Sequence, residues 1–209
     1  MKKLFVTMNL KKFEKISLFK PEINKGLPVM RAIANRHSSY NFIKDKPLSL
    51  QQISDILYIS YGQSHGHNKI FKTVPSALKI YPLIFFVVFT NGIYKYEPFT
   101  HELIPYLKGD YTDNIGIHPF AKNAFMNILI YADLEKKIEG SDSNEYDDKD
   151  LRMKLACLDV GHCTENVYLY CEGEGLKCCV RFFTDGKYYK KLLNLEDKYE
   201  YVLSQSVGY

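Results

Sequence analysis

The apolar positions of this chain keep two different rhythms. Leu27, Met30, Ile33 and Ala34 recur at helical spacing and predict a short helix ending near the turn Arg36-His37-Ser38. A second helix is marked more fully: Ser49 and Gln52 form a capping box, Ile53, Ile56, Leu57 and Tyr61 supply the stripe, and Gly62 stands where a left-handed stop belongs. From Leu83 to Thr90 the run is unbroken, β-branched and aromatic. Asn91-Gly92 carries it into Ile93-Tyr94-Lys95-Tyr96, which predicts two strands joined by a tight hairpin. Ile128 to Ala132 reads as a buried strand. The acidic, turn-rich stretch from Glu139 to Asp148 predicts a solvated loop, and a long helix then runs from about Asp150 to Glu174 before stopping at Gly175. Strands over Leu176 to Phe182 and Tyr199 to Val207, with a helix over Lys187 to Leu193 between them, complete the pattern. The sum is an α+β fold, a mostly antiparallel sheet covered by helices with one long central helix.

Composition narrows the class. With 209 residues, 46% of them hydrophobic, the chain can bury a sizeable core as one domain or a tightly fused pair. The net charge of +4 comes from 28 basic and 24 acidic residues interspersed throughout, so no basic block suggests nucleic acid. The five cysteines, Cys157, Cys163, Cys171, Cys178 and Cys179, are odd in number and lack CxxC spacing, which fits a reducing, cytoplasmic setting. The apolar start of the chain breaks at Lys11 without a cleavage-site pattern and reads as mature protein, and no run is long enough for a membrane helix.

Three distant segments carry chemistry. Asn35 to Phe42 places a guanidinium (Arg36) and hydroxyls (Ser38, Ser39, Tyr40) at a helix end, a donor set that can hold a phosphate; an Arg-capped surface helix is the plain alternative. Thr73 to Pro82 is bracketed by prolines, so Ser76 and Ala77 sit on a stiff backbone that a flat ligand could approach closely, or form an ordinary strand-entry turn. Gly175 to Asp185 brings Arg181, Phe182 and Phe183 to a turn, where Arg181 could equally be a surface salt-bridge partner. His65-Gly66-His67 has no third ligand nearby and reads as a glycine-rich loop, not a metal site. Cys157, His162 and Cys163 do not share one helix face and are assigned to packing, and of the vicinal Cys178 and Cys179 one thiol is expected to face the core.

In this order and spacing the segments resemble the FMN-dependent nitroreductase family, particularly the branch containing the azoline-oxidising dehydrogenases of peptide-toxin biosynthesis. The residues that carry the resemblance are Leu57 to Gly62, Pro75-Ser76-Ala77, Ala132-Asp133, Asp159 to Asn166, Gly175-Leu176, Arg181 and Val207-Gly208-Tyr209. The resemblance implies a flavin-binding domain over residues 27–209 after an extension over 1–26, an intertwined homodimer with flavins at the interface, and an interface role for much of the aromatic content. It implies that Arg36 and Ser38 hold the FMN phosphate, with His37 and Tyr40 along the ribityl chain and pyrimidine edge. Pro75, Ser76, Ala77, Leu78 and Lys79 would flank the ring, and the Arg181-Phe182-Phe183 turn would pass flavin N5. Lys79 replaces the usual Asn or small residue, and relatives' C-terminal basic pair has no counterpart before Tyr209, so the phosphate would be gripped less or elsewhere. The implied activity is hydride transfer from NADH or NADPH through flavin N5 to a nitroaromatic, quinone or similar acceptor, without a catalytic side chain and without metal. Azoline-ring dehydrogenation of a modified peptide and flavin binding with little turnover are the alternatives.

Overall fold

The computed structural model describes residues 10–64, 71–137 and 148–209. The histidine pair at 65 and 67, the start of the chain and most of the acidic stretch lie outside them. Among the described residues, α-helices and strands follow in the order β1 (Ile16–Ser17), α1 (Val29–Asn35), α2 (Leu50–Tyr61), β2 (Leu83–Phe89), β3 (Gly92–Glu97), β4 (Glu102–Lys108), β5 (Met126–Asp133), α3 (Lys149–Glu174), β6 (Lys177–Arg181), α4 (Gly186–Leu192) and β7 (Tyr199–Gly208). The strands form one open sheet in the order β1-β4-β3-β2-β5-β7-β6, every neighbour antiparallel.

The unbroken apolar runs follow from burial on both faces of this sheet. Phe85, Val87 and Phe89 of β2, with Ile128 and Ile130 of β5, face the helices α2 and α3. Phe86 and Val88, with Leu129 and Tyr131, face the opposite layer, where Ile115, Ala121 and Tyr189 close a second core. Double coverage also buries both Cys178 and Cys179, where the sequence suggested one. The largest fully buried side chains include Tyr61, Tyr94, Tyr96, Tyr131 and Tyr189, so much of the aromatic content builds the core of a single chain.

Three local expectations shift. The hairpin turn is Thr90–Asn91, one residue earlier than expected, because Gly92 already pairs with Phe89. Gly62 ends α2 in an extended conformation (φ −68°, ψ 167°), and its lack of a side chain serves close approach: a Cβ there would lie 2.6 Å from the Tyr58 carbonyl oxygen. On α1, Met30 and Ile33 are exposed and only Ala32 is buried, so its apolar stripe faces away from the core. The Ser49–Gln52 capping box and the left-handed Gly175 (φ 64°) stand as expected. Cys157 and His162 are exposed on α3, which leaves Cys163 alone in the packing role assigned to all three.

The segment before α1 is tied to α2. Phe19 N–H donates to Ser54 Oγ at 2.7 Å, Glu22 N–H donates to Asp55 Oδ1 at 3.0 Å, and Lys25 Nζ lies 2.6 Å from Asp55 Oδ2.

Candidate functional site

The long helix α3 organises both candidate ligand segments. On one flank, Tyr168 is a hub for the turn after α1. Its hydroxyl pairs with Ser38 Oγ at 2.9 Å and accepts the Val180 N–H at 2.8 Å, while the Arg36 guanidinium sits 5.2 Å above its ring. Ser39 N–H donates to the Cys178 carbonyl at 3.0 Å, so the turn is stitched to β6 as well as to α3. Arg36 itself remains available. Its carboxylate neighbour, Glu165, is 3.7 Å from Nε, beyond a hydrogen bond, and both side chains are in contact with solvent. Lys177, which the sequence reading passed over, donates to the Asn41 carbonyl and brings a second cation to this turn. His37 is tied instead to the Asn35 carbonyl (3.1 Å) and to Glu172 (3.5 Å).

Next to this turn lies an aromatic surface. Tyr40 packs on Phe120 at 5.1 Å, His118 stacks on the same ring at 5.4 Å, and Ile117 N–H donates to the Phe183 carbonyl at 3.3 Å. Phe182 and Phe183 are 70% and 63% exposed, which is unusual for adjacent phenylalanines and leaves two ring faces for a planar partner.

The third segment divides. Phe182 and Phe183 are open, but the Arg181 side chain is buried and fully engaged: Nε donates to Ser206 Oγ (2.8 Å), Nη2 to Asn127 Oδ1 (2.9 Å), and Nη1 to Thr184 Oγ1 (3.1 Å) and the Ile115 carbonyl (2.5 Å). It is neither the surface salt-bridge partner considered above nor a guanidinium free for a ligand. Burial without a carboxylate pushes its pKa down. What this turn can offer a ligand is backbone and the two phenylalanines.

On the opposite flank of α3, Asp159 plays the role that Tyr168 plays on the first. Ser76 Oγ donates to Asp159 Oδ2 at 2.5 Å and accepts the Tyr81 N–H at 2.9 Å. Burial pushes the Asp159 carboxyl up, against the pull of the Ser76 hydroxyl and the Ala77 N–H. The corner these bonds hold is strained: Leu78, Lys79 and Tyr81 occupy left-handed conformations (φ 53°, 59° and 48°), each costing about 1–3 kcal/mol for a residue with a side chain. Pro75, Leu78 and Lys79 are exposed, and Ser76 and Ala77 half-buried. The prolines announced stiffness; the carboxylate that supplies it was visible only as one residue of a helix motif.

The two hubs are nine residues apart, which on an α-helix is about 13 Å of rise and about half a turn of rotation. Within one chain, therefore, the Arg36 turn and the Pro75–Lys79 corner stand on opposite flanks of α3. The strip between them is exposed and carries Leu158 (63% exposed), Gly161, His162 and Glu165. Beside it α1 exposes Val29 (62%), Met30 (74%) and Ile33 (51%). No cluster of metal-binding side chains occurs among the described residues, and no helix among them is long and apolar enough to cross a membrane.

Comparison with known proteins places the fold. Residues 33–209 match the description of the Nitroreductase family. A Methanocaldococcus jannaschii protein named as a nitroreductase, MJ1384, is 31% identical over 140 residues, spanning 62% of this chain and 66%, just under two thirds, of its own length. A nitroreductase-named structure from Ralstonia eutropha JMP134 superposes with a TM-score of 0.82 at 25% identity, covering 97% of this chain and 92% of the other. The Escherichia coli microcin synthetase McbBCD, solved with truncated pro-MccB17 bound, gives 0.67 at 17% identity over 92% and 77%. An Exiguobacterium sibiricum nitroreductase-named structure in complex with FMN gives 0.61 at 12% identity over 88% and 89%. With the family match covering all but the first 32 residues and the fold shared almost end to end, the chain belongs to the nitroreductase family of oxidoreductases.

Proposed function

We propose that this protein is an FMN-dependent oxidoreductase that works as a homodimer, with each flavin held between the Arg36 turn of one subunit and the Pro75–Lys79 corner of the other. The observation that carries the reading is the placement of an available guanidinium and hydroxyl on one flank of α3 and a rigid, small-residue corner on the other, separated by an exposed strip that Leu158 and the exposed apolar side chains of α1 border. A second copy docked on Leu158, Val29, Met30 and Ile33 would cover that strip and bring the two halves together.

The residues suit the cofactor. Arg36 and Ser38, with the ammonium of Lys177 nearby, form a phosphate-binding donor set. Tyr40, Phe182 and Phe183 offer apolar faces to a ring system, and the strained backbone of Leu78 and Lys79 offers a second wall. His37, committed to Glu172 and Asn35, contributes at most from the rim. When bound, FMN supplies the electron chemistry, accepting hydride from NADH or NADPH and passing it to a nitroaromatic, quinone or similar acceptor. The protein's part is to stack and orient the reactants and exclude water, so no side-chain nucleophile is assigned. The Lys79 ammonium, at the corner, would stabilise negative charge on the reduced ring system, and Lys79→Ala is then expected to lower the flavin reduction potential.

Purified protein should be yellow, release FMN and not FAD by mass spectrometry, and oxidise NADH or NADPH with a quinone as acceptor. A colourless protein that fails to take up added FMN would contradict the proposal. Full flavin loading without turnover would favour a binding protein. The likeness to the microcin synthetase complex keeps a second reading, dehydrogenation of azoline rings in a modified peptide; it predicts that an azoline-containing peptide is oxidised while NAD(P)H–quinone turnover stays low. Leu158→Lys with Met30→Lys should convert the dimer to a monomer in light scattering and abolish flavin loading together with it.

A further inference from the structure

Flavin binding accounts for Lys79 but not for the rest of the charge around the Pro75–Lys79 corner. Three ammonium groups gather there. Lys72 Nζ lies 5.5 Å above the Tyr61 ring, Lys79 Nζ lies 5.6 Å above the Phe71 ring, and Lys136 Nζ donates to the Tyr81 carbonyl at 2.7 Å. The Tyr61 and Tyr81 rings meet edge to face at 6.3 Å, and the Tyr81 N–H is the group that holds Ser76 Oγ. Lys136 is thus linked to Ser76 through the two peptide groups of a single residue. Lys72 sits over the Tyr61 ring of the same pair, close enough to Lys136 for the two charges to interact.

These lysines come from separate parts of the chain, ahead of the corner, within it, and after β5. None forms an ion pair with a carboxylate among the described residues. The acidic groups that face them act only at longer range: Glu97 toward Lys72 and Asp133 toward Lys136, while Asp159 is taken by Ser76 and Ala77. Burial, together with the neighbouring Lys136 charge, pushes Lys72 below the ordinary lysine range, and burial does the same to Lys136. A flexible four-carbon stem normally carries an unpaired ammonium out to water. Here an aromatic face and a backbone carbonyl hold two like charges near one another beside the corner, without a carboxylate partner among the described residues, an arrangement that an incoming anion would relieve.

We propose that Lys72 and Lys136, with Lys79 at the rim, form a subsite for the carboxylate or phosphate of the molecule that exchanges electrons beside this corner. The proposal rests on the flavin-site reading for its place in the reaction, but its electrostatics stand without it. The anion could belong to the acceptor or to the nicotinamide donor, whose 2′-phosphate distinguishes NADPH from NADH.

Calorimetric titration separates these cases. The purified protein would be titrated with 4-nitrobenzoate, its neutral methyl ester, NADPH and NADH, alongside Lys72→Met and Lys136→Met, which keep the stem and remove the charge. The expected result is a loss of about tenfold or more in 4-nitrobenzoate affinity in both variants, as a charge-assisted hydrogen bond is removed, with the ester and FMN unaffected and Lys72→Arg retaining affinity. Loss confined to NADPH would support the subsite and assign it to the donor. If acid and ester bind alike and neither variant weakens NADPH relative to NADH, the proposal is overturned. Should the protein not take up FMN, inorganic phosphate titrated against its melting temperature still decides: stabilisation of the wild type but not of the methionine variants supports the lysine site, and equal behaviour removes it.

Discussion

Two arginines reach the end of β6 and the end of α1, and their surroundings could hardly differ more. Arg181 is 4% exposed and spends its donors on Ser206, Asn127, Thr184 and the Ile115 carbonyl. Arg36 rests on the face of Tyr168, keeps Glu165 at 3.7 Å, and has donors to spare. The first joins β6, β5, β7 and the 115 loop into one layer; the second keeps donors that the proposed flavin phosphate would use. A guanidinium in a family motif is a ligand group only where the fold leaves its fork unfilled.

The contrast is sharpened most by removing each arginine in turn. Arg181→Met should cost about 3 kcal/mol or more of stability, because several buried acceptors lose their donor, and the urea midpoint should fall accordingly. Arg36→Ala should leave that midpoint nearly unchanged, as exposed charges contribute within about 0.5 kcal/mol, yet weaken FMN binding about thirtyfold in a fluorescence titration. If the two variants exchanged these phenotypes, the assignment of roles would be wrong.

Smaller effects test the hubs. Tyr168→Phe removes the hydroxyl shared by Ser38 and the Val180 N–H, so about 1 kcal/mol of stability should go, with a loss of FMN affinity smaller than that of Arg36→Ala. The smallest effect is one of pH. The Asp159 carboxyl is raised in the folded chain, so the folded state holds its proton more tightly than the unfolded state does. Stability from this group is complete below the ordinary carboxylate value of 3.8 and declines as pH rises through the raised one. Asp159→Asn, which cannot titrate, should therefore gain on the wild type as pH rises above 3.8 in paired urea titrations; a constant difference would count against a raised carboxyl.

Much of the fold was legible because its signals are local. The capping box at Ser49 and Gln52, the stop at Gly175 and the apolar runs of β2 and β5 each depend on residues close in sequence. β4 was missed: Pro105 interrupts Glu102–Lys108, and the strand is tolerated next to the sheet edge because its outer neighbour, β1, pairs only at Leu103 and Glu102. The site was legible as three segments but not as their relation. Tyr168, Asp159 and Lys136 gain their meaning from tertiary contacts across 55 or more positions, and Lys72 from the charge of Lys136 beside it. Nor could the phase of α3 be read as separating the Arg36 turn from the Ser76 corner before their partners on the helix were known.

That separation makes the account testable in one measurement. Arg36→Ala and Ala77→Trp subunits, carrying different affinity tags, would be co-expressed and the doubly tagged heterodimer assayed for bound FMN. If each site draws the turn from one subunit and the corner from its partner, the heterodimer holds one intact site and retains about one FMN per dimer, while each homodimer retains little. A heterodimer as empty as the two homodimers would place both halves of the site in one chain and contradict the account.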